Sequence, residues 1–244
     1  MGKVYLTGAG PGDLELLTLK ALKAIKDADV IVYDRLINKE ILKEAKEGCD
    51  FIYVGKADSH HTLPQEEINK LLHKLALKYD KVVRLKGGDP LVFGRGSEEA
   101  LYLKEKGIEF EFIPGITSAI SVPEYAGIPV THRGLTVSFR VVTGHEAPYK
   151  ERSQIPWENF KTDDTIVFLM GLHNLDKITK KLIEIGKPKD FPIAVISKGT
   201  TKDQKTVIGT LENIHQKAKD LPTPALIIVG KVVTLHKDLN WWEG

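Results

Sequence analysis

From residue 4 to residue 113 the chain alternates short β-forming runs with amphipathic stretches, and that alternation leaves few folds open. Residues 4–6, 30–33, 51–54, 82–85 and 110–113 read as strands, rich in Val, Ile, Tyr and Phe. Helices are expected between them. Residues 18–27 carry Ala21, Leu22, Ile25 and Ala28 at helical spacing, and residues 65–78 carry Ile68, Leu71, Leu72 and Leu75 on one face. A capping box over residues 62–65 would start the second helix, and Ser97 would cap a third over residues 98–106, ended by Gly107. Strands joined through helices pair in parallel by right-handed crossovers, so this half predicts a doubly wound α/β sheet.

Ligands of such sheets lie beyond the carboxyl ends of the strands. The strand-end turns are therefore the first place to look. The run 81–96 is the richest, with Gly87-Gly88-Asp89-Pro90 and then Phe93-Gly94-Arg95-Gly96. Glycine permits close backbone approach, and Asp89 before Pro90 is pushed out of the helical region. So many special residues indicate a binding loop. The first turn, Gly8-Ala9-Gly10-Pro11-Gly12-Asp13, looks like a dinucleotide fingerprint but has Asp13 where a third glycine should stand. Pro11 also lacks an N–H that a pyrophosphate would use. Backbone approach to some other ligand fits better. Pro114-Gly115-Ile116-Thr117-Ser118-Ala119 forms a third such turn, so three strand ends could converge on one cleft.

Two further strand ends carry charge. The run 30–33 delivers Asp34 and Arg35, and Asp34 reads either as a helix cap or as a general base. The run 51–54 delivers Gly55 and Lys56, followed by His60 and His61, which have no ligand partner at metal spacing and read as solvated or anion-facing.

Past Thr117 the texture changes, and the domain boundary is placed there, giving domains of residues 1–116 and 117–244. A helix of small residues, interrupted by Pro123, precedes an irregular crossing that holds His132 and Arg133. Strands are expected at 137–142, 165–170, 192–196, 204–209 (an edge) and 223–230, with a helix after Asn174 as its cap and Leu175, Ile178, Leu182 and Ile185 inward. Residues 147–163 read as a polar loop. Hairpin links make the second sheet a mixed one.

Composition removes some function classes. The net charge is +2, from 35 basic and 33 acidic residues, which argues against bulk binding of nucleic acid. No apolar run approaches a membrane span, the start shows no signal peptide, and the one cysteine, Cys49, fits a cytoplasmic setting.

Taken together, Val4–Asp13, Tyr33-Asp34-Arg35-Leu36, Val54-Gly55-Lys56, Gln65–Asn69, Arg84–Pro90, Ile113–Ala119 and Gly127–Arg133 recur in an order that resembles the tetrapyrrole methyltransferases. The likeness covers nearly the whole chain. It implies S-adenosylmethionine as methyl donor, with S-adenosylhomocysteine as product and no metal, bound in a cleft between two α/β domains of a homodimer. It also implies methylation of uroporphyrinogen III at C2 and C7 to precorrin-2, for sirohaem or cobalamin. Carried over, the donor site falls on Pro11, Gly87, Gly88, Asp89, Val92, Thr117, Ser118, Met170 and Gly199, with Pro224 and Ala225 beside them. The proton-handling pair falls on Asp34 as acceptor and Lys56 as donor.

The chemistry is compatible with these residue types. Methyl transfer to an electron-rich pyrrole carbon needs alignment above all, worth about 7–11 kcal/mol, and then a base for the departing proton. Asp89 reads as a partner for a donor amine or as a turn former, and Met170 as a donor contact or as core. The acceptor's eight carboxylates call for local positive charge. The expected binders are Arg35, Arg95, His132 and Arg133, within a wider set of Lys56, Arg84, Lys86, Arg140, His60 and His145. A methyltransferase of later corrin intermediates, a nicotinamide oxidoreductase and a non-catalytic tetrapyrrole carrier are the alternatives. The missing third glycine weighs against the oxidoreductase, and the second-half strand-end motifs weigh against a carrier.

Overall fold

The computed structural model describes residues 1–55, 63–145 and 153–242. The chain divides into two compact units, Met1–Thr117 and Ser118–Gly244.

The first unit contains strands β1 (Lys3–Gly8), β2 (Val30–Tyr33), β3 (Asp50–Tyr53), β4 (Lys81–Lys86) and β5 (Phe110–Ile113). They lie in the order β3-β2-β4-β1-β5, with every pairing parallel. Helices α1 (Leu19–Asp27), α2 (Gln65–Ala76) and α3 (Gly96–Glu105) cover the sheet. Side-chain alternation along each strand sorts the core into two layers. Val82 joins Val4, Leu6 and Val32 against Leu72 of α2 and Leu103 of α3. Val83 and Leu85 join Ile31 against Ile25 of α1. Leu72 and Leu103 are fully buried, each stabilising the fold by about 1.5–3 kcal/mol.

The cap of α3 departs from expectation, and the residue expected to cap α2 lies outside the described residues. Thr18 starts α1 by accepting the Ala21 N–H at 3.2 Å. Thr62 lies outside the described residues, and Pro64 precedes α2 without a side-chain cap. Ser97 does not cap α3 but lies inside it, exposed; Arg95, with φ 60°, precedes the first turn. The cause is steric. A Cβ on Gly94 or on Gly96 would stand 2.6 Å from the Pro90 carbonyl oxygen, so the loop folds tightly enough to begin the helix early.

The second unit contains β6 (Phe139–Thr143), β7 (Thr165–Leu169), β8 (Pro192–Ser197), β9 (Lys205–Thr210) and β10 (Ala225–Val229), in the order β6-β7-β10-β8-β9. β6 and β7 are parallel and the other pairings antiparallel, so the sheet is mixed, with β9 at an edge. Helix α4 (Ser118–Tyr125) sets Ala119 and Val122 on one face of the sheet. Helix α5 (Leu175–Glu184) sets Leu175, Ile178 and Leu182 on the other. Asn174 does not cap α5; its amide Nδ2 donates to the Gly144 carbonyl at 2.8 Å, tying the helix start to the end of β6. The first strand begins at Phe139 rather than at Val137, which is 96% exposed in the preceding turn. Within the stretch expected to be loop, residues 147–152 lie outside the described residues, and Trp157–Lys161 is a 3-10 turn that buries Phe160. Trp241 and Trp242 pack on Tyr125 of their own unit, with ring centroids 5.1 and 4.9 Å away.

Candidate active site

In the first unit β1, β4 and β5 end at one edge, and their exit loops meet through bare backbone. The Gly88 N–H donates to the Gly10 carbonyl at 2.7 Å, and the Gly10 N–H returns the bond at 3.2 Å. A Cβ on Gly115 would stand 2.2 Å from the Gly88 oxygen and 2.7 Å from the Gly8 Cα, and one on Gly8 would stand 2.5 Å from the Gly115 nitrogen. No side chain fits at these crossings, so Pro11, Gly87 and Gly88 sit on loops locked together by glycine. Asp89 completes the lock. Its Oδ1 accepts the Leu91 and Val92 N–H groups at 2.8 and 3.2 Å, and its Oδ2 accepts the Gly115 N–H at 3.1 Å. The carboxylate thus acts as a turn former and as a fastener to the β5 exit. Asp13 has a parallel use, accepting the Glu15 N–H at 2.9 Å to begin a 3-10 turn where a third glycine was missing.

Asp34 stands just past β2, with its side chain 24% exposed. Its Oδ1 accepts the Leu36 N–H at 3.0 Å, and its Oδ2 accepts Arg84 Nη2 at 3.2 Å. It is not a helix cap; Asn38 caps the following 3-10 turn by accepting the Glu40 N–H at 3.0 Å. Arg84 and Lys86, expected among the binders of substrate carboxylates, are 3% and 5% exposed and turned inward on β4. Both bond the buried carboxylate of Glu99, at 3.3 and 3.0 Å, which removes them from that role. Burial, then the neighbouring Arg84, pushes the Lys86 ammonium below its ordinary value. Arg35 is exposed. Arg95 is also exposed and forks onto Glu98 at 2.9 and 2.7 Å. Val92 is 36% exposed beside exposed Leu91 and Phe93. Lys56, His60 and His61 lie outside the described residues.

Thr117 closes the first unit and Ser118 opens the second, at the start of α4. In the second unit the strand-end turns are again backbone-dense. Met170, at the end of β7, has φ 58° and is 54% exposed, so it is not a core residue. Lys198 and Thr200, on either side of Gly199, have φ 47° and 62°. A Cβ on Gly199 would stand 2.4 Å from Val122 Cγ1. Pro224 follows a cis peptide bond and accepts the Lys198 N–H at 2.8 Å, while Ala225 pairs with Ser197. Gly199, Pro224 and Ala225 are therefore brought together, and Met170 stands at the end of β7, which pairs directly with β10. His132 and Arg133 are exposed on a turn closed by the His132–Thr136 bridge. Arg140, another expected binder, is taken by Asp164, with Nε and Nη2 both 3.0 Å from Oδ2. His145 follows β6 and donates its N–H to Thr143 Oγ1 at 3.2 Å.

The turns that hold Gly8 and Gly115 were expected to converge, but neither their interlock nor the buried Glu99 was singled out from the sequence. A usable signal existed for Glu99. Arg84 and Lys86 alternate with Val83 and Leu85 in a strand whose apolar residues mark it as central, and buried cations there require a carboxylate partner. Among the described residues no group of three or more His, Cys, Asp or Glu is arranged to hold a metal ion.

Comparison with known proteins gives this arrangement relatives. The family described as Tetrapyrrole (Corrin/Porphyrin) Methylases matches residues 3–215. The uroporphyrinogen-III C-methyltransferase of Methanocaldococcus jannaschii is 55% identical over 237 residues, covering 96% of this chain and 98% of that protein. The enzyme of the same name from Bacillus subtilis is 52% identical over 249 residues, covering 100% of this chain and 95% of that protein. Among solved structures, uroporphyrin-III C-methyl transferase from Thermus thermophilus complexed with S-adenyl homocysteine has a TM-score of 0.82 at 39% identity, covering 96% of this chain and 100% of that one. With two α/β units, glycine-locked strand ends and full-length likeness to these enzymes, the chain belongs to the tetrapyrrole methylases.

Proposed function

We propose that this chain is a uroporphyrinogen-III C-methyltransferase, which methylates C2 and C7 of its substrate and converts two S-adenosylmethionine to two S-adenosylhomocysteine. Precorrin-2 is the product, feeding sirohaem or cobalamin synthesis. The observation that carries this is identity above 50% along nearly the whole length of two enzymes so named. Assembly as a homodimer and a cytoplasmic location belong to the same proposal; among the described residues no helix is long and apolar enough to cross a membrane.

The residues fit the donor. Loops that admit no Cβ at Gly8 and Gly115 hold three strand ends against one another, which keeps the proposed donor contacts of the first unit in fixed places. In the first unit Pro11, Gly87, Gly88, Asp89, Val92 and Thr117 would hold it. In the second, Ser118, Met170, Gly199, Pro224 and Ala225 would do so. When bound, S-adenosylmethionine supplies an electrophilic methyl group on a sulfonium. The chain's own part is to hold the acceptor carbon in line and to take up the proton that the methylated ring then loses. Asp34 is the acceptor of that proton. Among the described residues each of its oxygens takes one hydrogen bond, and the side chain keeps partial exposure at the carboxyl end of β2. Lys56 is the corresponding donor. Exposed Arg35, His132 and Arg133 are left to receive the acceptor's carboxylates, and exposed Arg95 joins them by exchanging Glu98 for a substrate carboxylate.

The test is anaerobic incubation with uroporphyrinogen III and S-adenosylmethionine, followed by product mass. A gain of two CH2 units, with a sirohydrochlorin-like spectrum after oxidation, is expected. Donor binding with an unchanged acceptor mass would replace the acceptor by a later corrin intermediate.

A further inference from the structure

The charged cluster beneath Asp34 has no use in the chemistry above. It begins at Gln65 on α2, whose Nε2 bonds Glu99 Oε1 at 3.2 Å and Asn69 Oδ1 at 2.9 Å. Glu99 on α3 is fully buried, and its Oε1 also receives Lys86 Nζ at 3.0 Å and Arg84 Nε at 3.3 Å. Arg84 then spends its remaining edges on the Leu85 and Val32 carbonyls, at 3.0 and 3.4 Å, and on Asp34 Oδ2 at 3.2 Å.

Stability does not explain this arrangement. Apolar residues of similar volume usually serve a buried site as well as an ion network, or better, because desolvation of the charges offsets their attraction. The surrounding layer of Ile68, Leu72, Val82 and Leu103 is apolar and could have continued. What the network yields is a guanidinium fixed on all its edges. The ammonium of Lys86 is weakened by burial, so Arg84 is the firm cation that both carboxylates share. Of the charged members only Asp34 reaches solvent appreciably, at 24% against 3%, 6% and 0% for the side chains of Arg84, Lys86 and Glu99.

We infer that Glu99 is a positioning residue, which acts through Arg84 to hold Asp34 in the orientation that accepts the substrate proton. The inference rests on the reading of Asp34 as that acceptor. Glu99 is fully buried, so it acts through its neighbours; it determines where Arg84 lies, and Arg84 determines where Asp34 Oδ2 lies. A displacement of about 1 Å at a reacting group can lower a rate about 100-fold.

The experiment is a double-mutant cycle on turnover of uroporphyrinogen III, with S-adenosylhomocysteine affinity measured alongside. Glu99→Gln keeps the shape and removes the charge. It is expected to lower kcat about 10- to 100-fold while the S-adenosylhomocysteine Kd changes less than about twofold. In an Asp34→Asn background the same substitution should lower the residual kcat no further, because its effect passes only through Asp34. Arg84→Lys keeps a buried cation but cannot bridge two carboxylates, so it should behave alike, and it carries the test if Glu99→Gln does not fold. Full kcat in a folded Glu99→Gln or Arg84→Lys protein overturns the inference. So does an equal fold-loss in the wild-type and Asp34→Asn backgrounds. Full turnover by Asp34→Asn alone is a different result, which refutes the proton-acceptor reading itself.

Discussion

The sharpest test of the interlocked strand ends is Gly115→Ala. Gly115 does not have a positive φ, so alanine is acceptable to its backbone and any penalty is steric. The new methyl carbon would stand 2.2 Å from the Gly88 oxygen, which must retreat by about 1 Å to reach ordinary contact. That oxygen accepts the Gly10 N–H at 3.2 Å, a bond too long to survive such a shift. Overpacking of this kind costs about 1–3 kcal/mol, and an orphaned backbone group adds about 1–3 kcal/mol. A loss of about 2–6 kcal/mol is therefore expected, with weaker binding of S-adenosylhomocysteine because the Gly87–Asp89 loop moves. Urea denaturation and calorimetric titration would measure the two effects. Gly107→Ala is the control. Nothing lies within 4 Å of its Cβ, and only its φ of 71° resists alanine, at about 1 kcal/mol. If Gly115→Ala were no less stable than Gly107→Ala and bound the product as wild type does, the crossing of these loops would not be the constraint described.

Asp34→Asn should lower kcat about 10²- to 10⁴-fold with little change in S-adenosylhomocysteine affinity, as single-turnover assays would show. Phe168→Ala, which removes a fully buried ring between Trp157 and Phe160, should destabilise the second unit by about 3–5 kcal/mol in urea denaturation. Asp164 gives a pH signature. The Ser138 hydroxyl first, then Thr162 and Arg140, hold its carboxyl below the usual carboxylate range. Its stabilisation is thus present above about pH 4, the unfolded carboxylate value, and is lost as pH falls through the lower folded value. The urea midpoints of wild type and Asp164→Asn should therefore converge on acidification from pH 6 to pH 3, and a gap that stays constant would contradict the assignment.

Strands and crossovers were legible because their signals are local. The unbroken run Val30–Tyr33 and the alternation of Ile68, Leu72 and Leu75 need no distant information to be read. Caps and partners were less legible because each is decided elsewhere in the chain. Asn174 has the right side chain to cap α5, yet the Gly144 carbonyl, thirty positions earlier, takes its amide. Ser97 loses its expected place to a turn set by the Pro90 carbonyl. Arg84 and Lys86 looked like a basic surface for an acidic substrate until α3 delivered Glu99 beneath them. The aspartates show the same division. Asp89 stands in a turn-forming context that the sequence displays, but its second oxygen reaches Gly115, which only the parallel neighbourhood of β4, β1 and β5 brings near.

The left-handed residues of the second unit bear on how this protein can be improved. Met170, Lys198 and Thr200 hold a conformation that side chains resist, and for buried, β-branched Thr200 the resistance is strongest. Each stores about 1–3 kcal/mol. Glycine at those positions would release part of it, so a screen for heat tolerance alone should find such changes readily. The same changes would loosen the turns around Gly199 and Pro224 that the proposed donor site uses. Thermal hardening and methyl transfer therefore compete for these three residues, and selection for the first without the second would erode the enzyme.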